Sequence, residues 1–349
     1  MTNNRTFFYY ISLGSVFLLL HCTPTSKDKK EEPHEGNTFH PSKGKVEVVD
    51  AGLNSIINPK ATIEVLGEGF MWTEGPVWIP GEDYLLFCDI PKNTIHKWKE
   101  GEGISVYLTP SGYTGEKERG GETGSNGLML NANKQLLLCQ HGNRQIAVMN
   151  ADLSDPKPDF IGISDAFDGK KLNSPNDLAV HTNGDIYFTD PPYGLEHNIK
   201  DPLKEIDFQG VYRWSAKDST TTLMFQDLTR PNGINLSPDE KQVYVANSDP
   251  NKAYWMVFDL DEKGNFANGR KFYDATSSVA ASPGLPDGMV IDKAGNLFAT
   301  GPGGVWIFSP DGQLLGKIKT GQATANCTFS ADYKYLYMTA HSYLLRIKL

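Results

Sequence analysis

Six times between residues 74 and 326 an oxygen-bearing side chain stands just ahead of a short apolar run, a turn and a second apolar run. The units open at Glu74 in EGPVWIPGEDYLLFCDI, Asn126 in NGLMLNANKQLLLCQH, Asn176 in NDLAVHTNGDIYFTD, Asn232 in NGINLSPDEKQVYVANSD, Asp287 in DGMVIDKAGNLFATG and Asn326 in NCTFSADYKYLYMTA. Successive leading residues lie 52, 50, 56, 55 and 39 positions apart, the length of a four-stranded sheet with loops added or trimmed. One such sheet cannot bury both of its faces alone, so the units must pack on one another. Six of them predict an all-β chain, a six-bladed β-propeller.

The joints agree with that reading. Hairpin chemistry separates first from second strands at Pro80-Gly81-Glu82-Asp83, Asn183-Gly184-Asp185, Ser237-Pro238-Asp239-Glu240 and Lys293-Ala294-Gly295-Asn296. The last unit ends at Leu349 after only three strands, while KATIEVLGEGF ahead of Glu74 is a strand without a unit. This N-terminal strand is expected to close the last blade, which removes a free edge from the ring. A tandem of β-sandwiches is the alternative, but it would not need the same polar lead in every unit. The 34 Gly and 21 Pro, with 15 Tyr and 17 Phe, suit many short strands and tight turns.

In a propeller the first strand of each blade lies nearest the axis, so its opening residues surround one mouth of the central channel. Glu74, Asn126, Asn176, Asn232, Asp287 and Asn326 should therefore converge. One such Asn is usually only a strand or turn cap. Six equivalent oxygen-bearing positions, two of them acids and none a His or Cys, read instead as hard donors. That set suits Ca²⁺, suits Mg²⁺ or Mn²⁺ less well, and is poor for structural Zn²⁺. The antiparallel second strand returns to the same mouth and should bring His141 and Arg144 of HGNR there, where they could hydrogen-bond an oxygen-rich ligand. YTGEKERGGETGSNG, residues 113–127, is expected as a loop over that mouth.

The N-terminus is organised differently. MTNNRTFFYYISLGSVFLLLHC carries one Arg and then an uncharged, mostly apolar run, too short for a typical membrane span and suited to a signal peptide over residues 1–21. Leu19-Leu20-His21-Cys22 resembles a bacterial lipobox, which would make Cys22 the lipidated first residue of an exported envelope protein, touching membrane only through that anchor. Residues 22–58 are then expected as a disordered tether and 59–349 as the propeller. Cys88, Cys139 and Cys327 remain, an odd number that makes no disulfide framework; Cys88 and Cys139, in apolar strands, read as buried thiols.

Several functions are excluded by what is missing. The net charge of −9, without a Lys/Arg stripe, argues against a nucleic-acid partner. No G-x-S-x-G elbow, H-E-x-x-H pair or Walker loop occurs. DLDEKGNFANGR from Asp259 fails as an EF-hand, with Lys263 and Arg270 at positions that need oxygen ligands. No motif specifies an oligomeric state.

The motifs TEGPVW, SPNDLAV, RPNGINLS and LPDGMVID resemble the blade-leading motifs of the gluconolactonase and regucalcin (senescence-marker protein) family of calcium-dependent six-bladed propellers, over about residues 60 to 349. HGNR and YFTDPPYG are more like the bacterial gluconolactonases. The resemblance implies a lactonase acting on a small-molecule lactone at a metal in the channel, with Ca²⁺ as cofactor and Zn²⁺, Mn²⁺ or Mg²⁺ as alternatives. It implies Glu74, Asn232 and Asp287 as metal ligands, Asn176 as a fourth position and Asp287 as acid/base. Animal members carry Arg two residues before that Asn, where this chain has Ser174. The substrate contacts expected here are Asn126, His141, Arg144, Asp177 and Tyr193. Two other readings stay open: a metal-dependent phosphotriesterase-like hydrolase of the same fold, and a non-catalytic, calcium-stabilised binding propeller at the envelope.

Overall fold

Each repeat folds as four antiparallel strands, and the computed structural model, which describes residues 40–349, contains six such blades. Their first strands are Thr73–Ile79, Ser125–Leu130, Leu178–Val180, Pro231–Leu236, Met289–Ile291 and Thr324–Phe329. The signal peptide, Cys22 and the tether up to residue 39 lie outside the described residues.

Alternation along the strands builds the core between blades rather than within them. Leu86 and Cys88 of the first blade pack with Leu128 and Leu138 of the second. Leu85, Phe87 and Trp98 of the first meet Tyr337 and Leu344 of the last, with Trp78 stacked on Tyr337 at a ring separation of 5.4 Å. Ring closure follows the expected route: Ile63–Glu68 pairs antiparallel with Tyr343–Lys348 as the outer strand of the sixth blade.

The tether expected over 22–58 is corrected over its last part. Lys45–Val48 adds a fifth strand to the outer edge of the fifth blade, pairing with Leu314–Lys319. Asp50 then caps a short 3₁₀ turn, Ala51–Ser55, through the Gly52 N–H. The segment is charged at Lys43, Lys45 and Glu47, which made it read as solvated. Its sparse apolar residues, Val46, Leu53 and Ile57, are buried in the cluster shared by the fifth and sixth blades. It thus ties the fifth blade to the sixth, the blade in which the ring closes. Leu53→Ala is expected to cost about 2–5 kcal/mol in chemical denaturation, the range for a fully buried leucine, without changing the chemistry at the cavity, whose lining Leu53 does not join. A loss under about 0.5 kcal/mol would show the segment to be a passive tail.

Candidate functional site

The first strands are irregular where the polar residues sit. Pairing with the second strand slips between Glu74 and Val77, between Ser125 and Leu128, and between Pro231 and Ile234. Each irregularity turns the leading side chain to the axis and brings the following glycine against the next blade. A side chain at Gly75 would collide with the Asn126 carbonyl, and one at Gly233 with that of Asp287. Gly75 also has φ of +52°, a left-handed backbone that glycine adopts at little cost. The Asn-Gly and Asp-Gly pairs that look like turn punctuation are points of close blade-to-blade approach.

Hydrogen bonds lock these contacts. The Cys88 thiol donates to the Asn126 carbonyl at 3.2 Å, and the Thr189 hydroxyl to the Asn232 carbonyl at 2.6 Å. The inward ends of several second strands are used for bracing. Asp89 accepts the Met71 and Trp72 N–H groups, Asp190 those of Asn173 and Ser174, and Asn247 that of Arg230. Each holds the segment that leads into its own blade.

Five of the six leading residues, Glu74, Asn126, Asn176, Asn232 and Asp287, line a mouth cavity of about 580 Å³. The sixth, Asn326, is turned away from the expected donor role: its oxygen accepts the Cys327 N–H at 2.8 Å and its amide group bonds the Glu74 carboxylate. Burial pushes the Glu74 carboxyl up, with the Asp177 and Glu122 charges adding to it and the Gly75 N–H opposing. Burial, then the Glu74 and Asp177 charges, holds Asp287 well above the usual carboxylate range. Asn126 Oδ1, Asn232 Oδ1 and Asp287 Oδ1 are buried without a hydrogen-bond partner among the described residues. Each unmet acceptor costs about 1–3 kcal/mol, and these three line the cavity, whereas the other unmet buried oxygens among the described residues, on Asn173 and Tyr212, do not. Two crowded acids and three unmet oxygens fit a hard divalent cation, which would satisfy both at once. Among the described residues no three His, Cys, Asp or Glu side chains form a metal cluster of their own, so the candidate set depends on its asparagines.

Three of the expected substrate contacts do not line this cavity. Arg144 does not line the cavity; its Nε donates to the Leu172 and Asn173 carbonyls at 2.7 and 3.0 Å, bracing the loop ahead of Asn176. A left-handed backbone at Arg144, φ +60°, accompanies this turn away from the mouth. Asp177, just ahead of the first strand of its blade, is absent from the lining and accepts the Leu178 and Ile234 N–H groups. His141 is fully buried behind the wall, next to Asn126 and Asn176. Tyr193 does line the cavity. Its phenol is raised by burial and by Asp287, which keeps it a neutral donor. Ser174 anchors the Tyr193 loop by donating to the Pro191 carbonyl and accepting the Gly194 N–H.

The cavity also holds groups that the repeat does not reveal. Trp72 and Leu285 supply apolar wall, while Glu122, Ser248 and Asp249 supply oxygens. Glu122 arrives on the Gly-rich segment, which Arg119 pins by donating to the Gly142 and Gly194 carbonyls. Arg230 is the only basic side chain of the lining among the described residues, which it shares with the carboxylates of Glu74, Glu122, Asp249 and Asp287. Its guanidinium makes one protein hydrogen bond, to the Thr229 carbonyl at 2.9 Å. RPNG contained the signal, an Arg two residues ahead of a leading Asn, but in the fourth blade.

Comparison with known proteins agrees with this architecture. The family described as "SMP-30/Gluconolactonase/LRE-like region" matches residues 72–342. A gluconolactonase of Zymomonas mobilis is 38% identical over 315 residues, covering 87% of this chain and 86% of that protein. The structure of a Xanthomonas campestris gluconolactonase superposes with a TM-score of 0.75 at 29% identity, covering 89% of this chain and 96% of that one. A calcium-binding protein of Agrobacterium tumefaciens, regucalcin, shares the fold at a TM-score of 0.61 and 18% identity, over 81% and 92% of the two chains. With the repeat, the channel mouth and the matched length in agreement, the chain belongs to the SMP-30/gluconolactonase/LRE-like family.

Proposed function

We propose that the protein is a calcium-dependent hydrolase of polyhydroxylated sugar lactones. The observation that carries this reading is the group of unmet, buried oxygens on Asn126, Asn232 and Asp287 beside the crowded acid Glu74. Glu74, Asn176, Asn232 and Asp287 would hold the cation. Calcium is preferred because the donors are carboxylate and amide oxygens without His or Cys. When bound, it supplies Lewis-acid polarisation of the lactone carbonyl and stabilises negative charge on its oxygen.

The chain's own groups account for the rest. Asp287, with Oδ1 turned to the cation, would take the proton of the attacking water on its other carboxylate oxygen and return it to the ring oxygen as the ester bond breaks. Tyr193, as a neutral phenol, donates to a substrate oxygen. Arg230 has N–H groups left after its bond to Thr229 and clamps hydroxyls, with Asp249 and Ser248 as acceptors on the same wall. Trp72 and Leu285 shield one face from water.

The test is a substrate panel of aldono-lactones, unsubstituted aliphatic lactones, aryl esters and a phosphotriester, run with calcium and with chelator. Calcium-dependent turnover, fastest on aldono-lactones, is expected. Cleavage of the phosphotriester alone would move the protein to that class, and no cleavage of any compound would leave a binding propeller. Arg230→Gln sharpens the assay: KM for an aldono-lactone should rise by about tenfold or more, the loss of one charge-assisted hydrogen bond. Its kcat, and KM for an unsubstituted lactone, should stay within about twofold. Equal losses on both lactones would remove Arg230 from hydroxyl recognition.

A further inference from the structure

His141 lies behind the cavity wall at a junction of three groups. Its side chain is fully buried just after the second strand of the second blade, Leu136–Gln140, and its backbone N–H donates to the Gly124 carbonyl. Nε2 is 3.4 Å from Asn126 Nδ2 and 3.5 Å from Asn176 Nδ2. Nδ1 is 3.2 Å from Glu122 Oε2, close enough for charge attraction, although the carboxylate does not align as a hydrogen-bond acceptor for the ring N–H.

We propose that His141 is a positioning residue that sets which way the amides of Asn126 and Asn176 face. Two amide nitrogens face Nε2, which can then only accept, and the ring proton belongs on Nδ1, on the side of Glu122. Nε2 then presents only a lone pair. An asparagine side chain has a donor end and an acceptor end, and only the donor end can face that lone pair. Both NH₂ groups therefore turn towards the ring, and both Oδ1 atoms turn away from it. For Asn126 the oxygen so turned is one of the unmet acceptors at the cavity. The opposite tautomer would offer one N–H to two amide oxygens and direct NH₂ groups towards the cation position. Because Asn126 and Asn176 open neighbouring blades, one buried ring orients donors on both. Side chains that orient metal ligands from behind typically affect affinity by about 10–100-fold.

The inference rests on the reading of Asn176 as a cation ligand and Asn126 as a cavity oxygen, and the experiment separates the two claims. Calcium affinity is measured by calorimetry on wild type, His141→Gln and His141→Met, with melting temperature and kcat recorded alongside. The Gln oxygen lies about where Nε2 does and can only accept, whereas Met is similar in size and accepts weakly at best. His141→Met is expected to bind calcium about 10–100-fold more weakly and His141→Gln within about threefold of wild type. Wild-type affinity in His141→Met, or equal losses in both variants that follow melting temperature, would overturn the positioning role and leave the calcium reading intact. No binding by wild type would overturn both. If His141→Met does not fold, His141→Asn takes its place, its shorter side chain being unable to reach both amides; unchanged affinity in that variant would again overturn the role.

Discussion

Asp287→Asn should lower kcat on an aldono-lactone by about 10²–10⁴-fold at saturating calcium, the range for loss of a general base. Asn retains an oxygen that can face the cation but cannot take a proton from water. The change also removes a carboxylate that burial and the Glu74 and Asp177 charges disfavour in ionised form. The cation-free variant is therefore expected to melt no lower than cation-free wild type, while calcium affinity falls because a charge is lost. This combination of lost turnover with retained folding is specific to a chemical role. A binding propeller would lose calcium-linked stability with no turnover to lose, and full turnover in Asp287→Asn at saturating calcium would remove the residue from the chemistry.

Glu74→Gln addresses the cation instead of the proton. Wild type at a hundred times its dissociation constant for calcium gains about 2.7 kcal/mol by mass action, or about 4–8 °C in Tm, and chelator should reverse the gain. The Glu74 side chain is held on two sides, accepting the Gly75 N–H at 3.0 Å and bonded by the Asn326 amide. Gln keeps its shape in that cradle and removes its charge. Calcium affinity should fall by at least about tenfold, with most of the turnover recovered when calcium is raised in proportion. A Tm that does not respond to calcium in wild type would refute the cation site. Turnover lost in Glu74→Gln and not recovered at any calcium concentration would instead make Glu74 part of the reaction.

The repeat made the blades, their order and the closing strand legible because each depends on local pattern: strand alternation, turn chemistry and the spacing of units. It also identified the leading residues, since the first strand of every blade has the same relation to the axis. Five of the six do line the cavity. Asn326 differs although its position in the repeat is equivalent, because ring closure sets its amide on Glu74 while its oxygen is spent on the Cys327 N–H. No pattern within one unit carries that information.

The neighbours of the site were less legible for the same reason. Arg144 and Arg230 both stand in polar loops near a blade mouth, yet one is spent on the carbonyls of residues 172 and 173 and the other lines the cavity. The segment at 45–57 looked like tether because its three buried apolar residues show no period, and only the outer edge of the fifth blade and the closure cluster give them a place.

The sequence by itself determined a six-bladed β-propeller and the ring of residues at its mouth, since strand period, hairpin turns and repeat length are local properties. The tertiary structure decided which of those side chains present free oxygen, which brace their neighbours, and which arginine, Arg230 rather than Arg144, lines the cavity. The physical reason is that a hydrogen-bonding group is committed by whichever partner arrives from another blade. Those partners come from dozens to hundreds of residues away, beyond the reach of any local pattern.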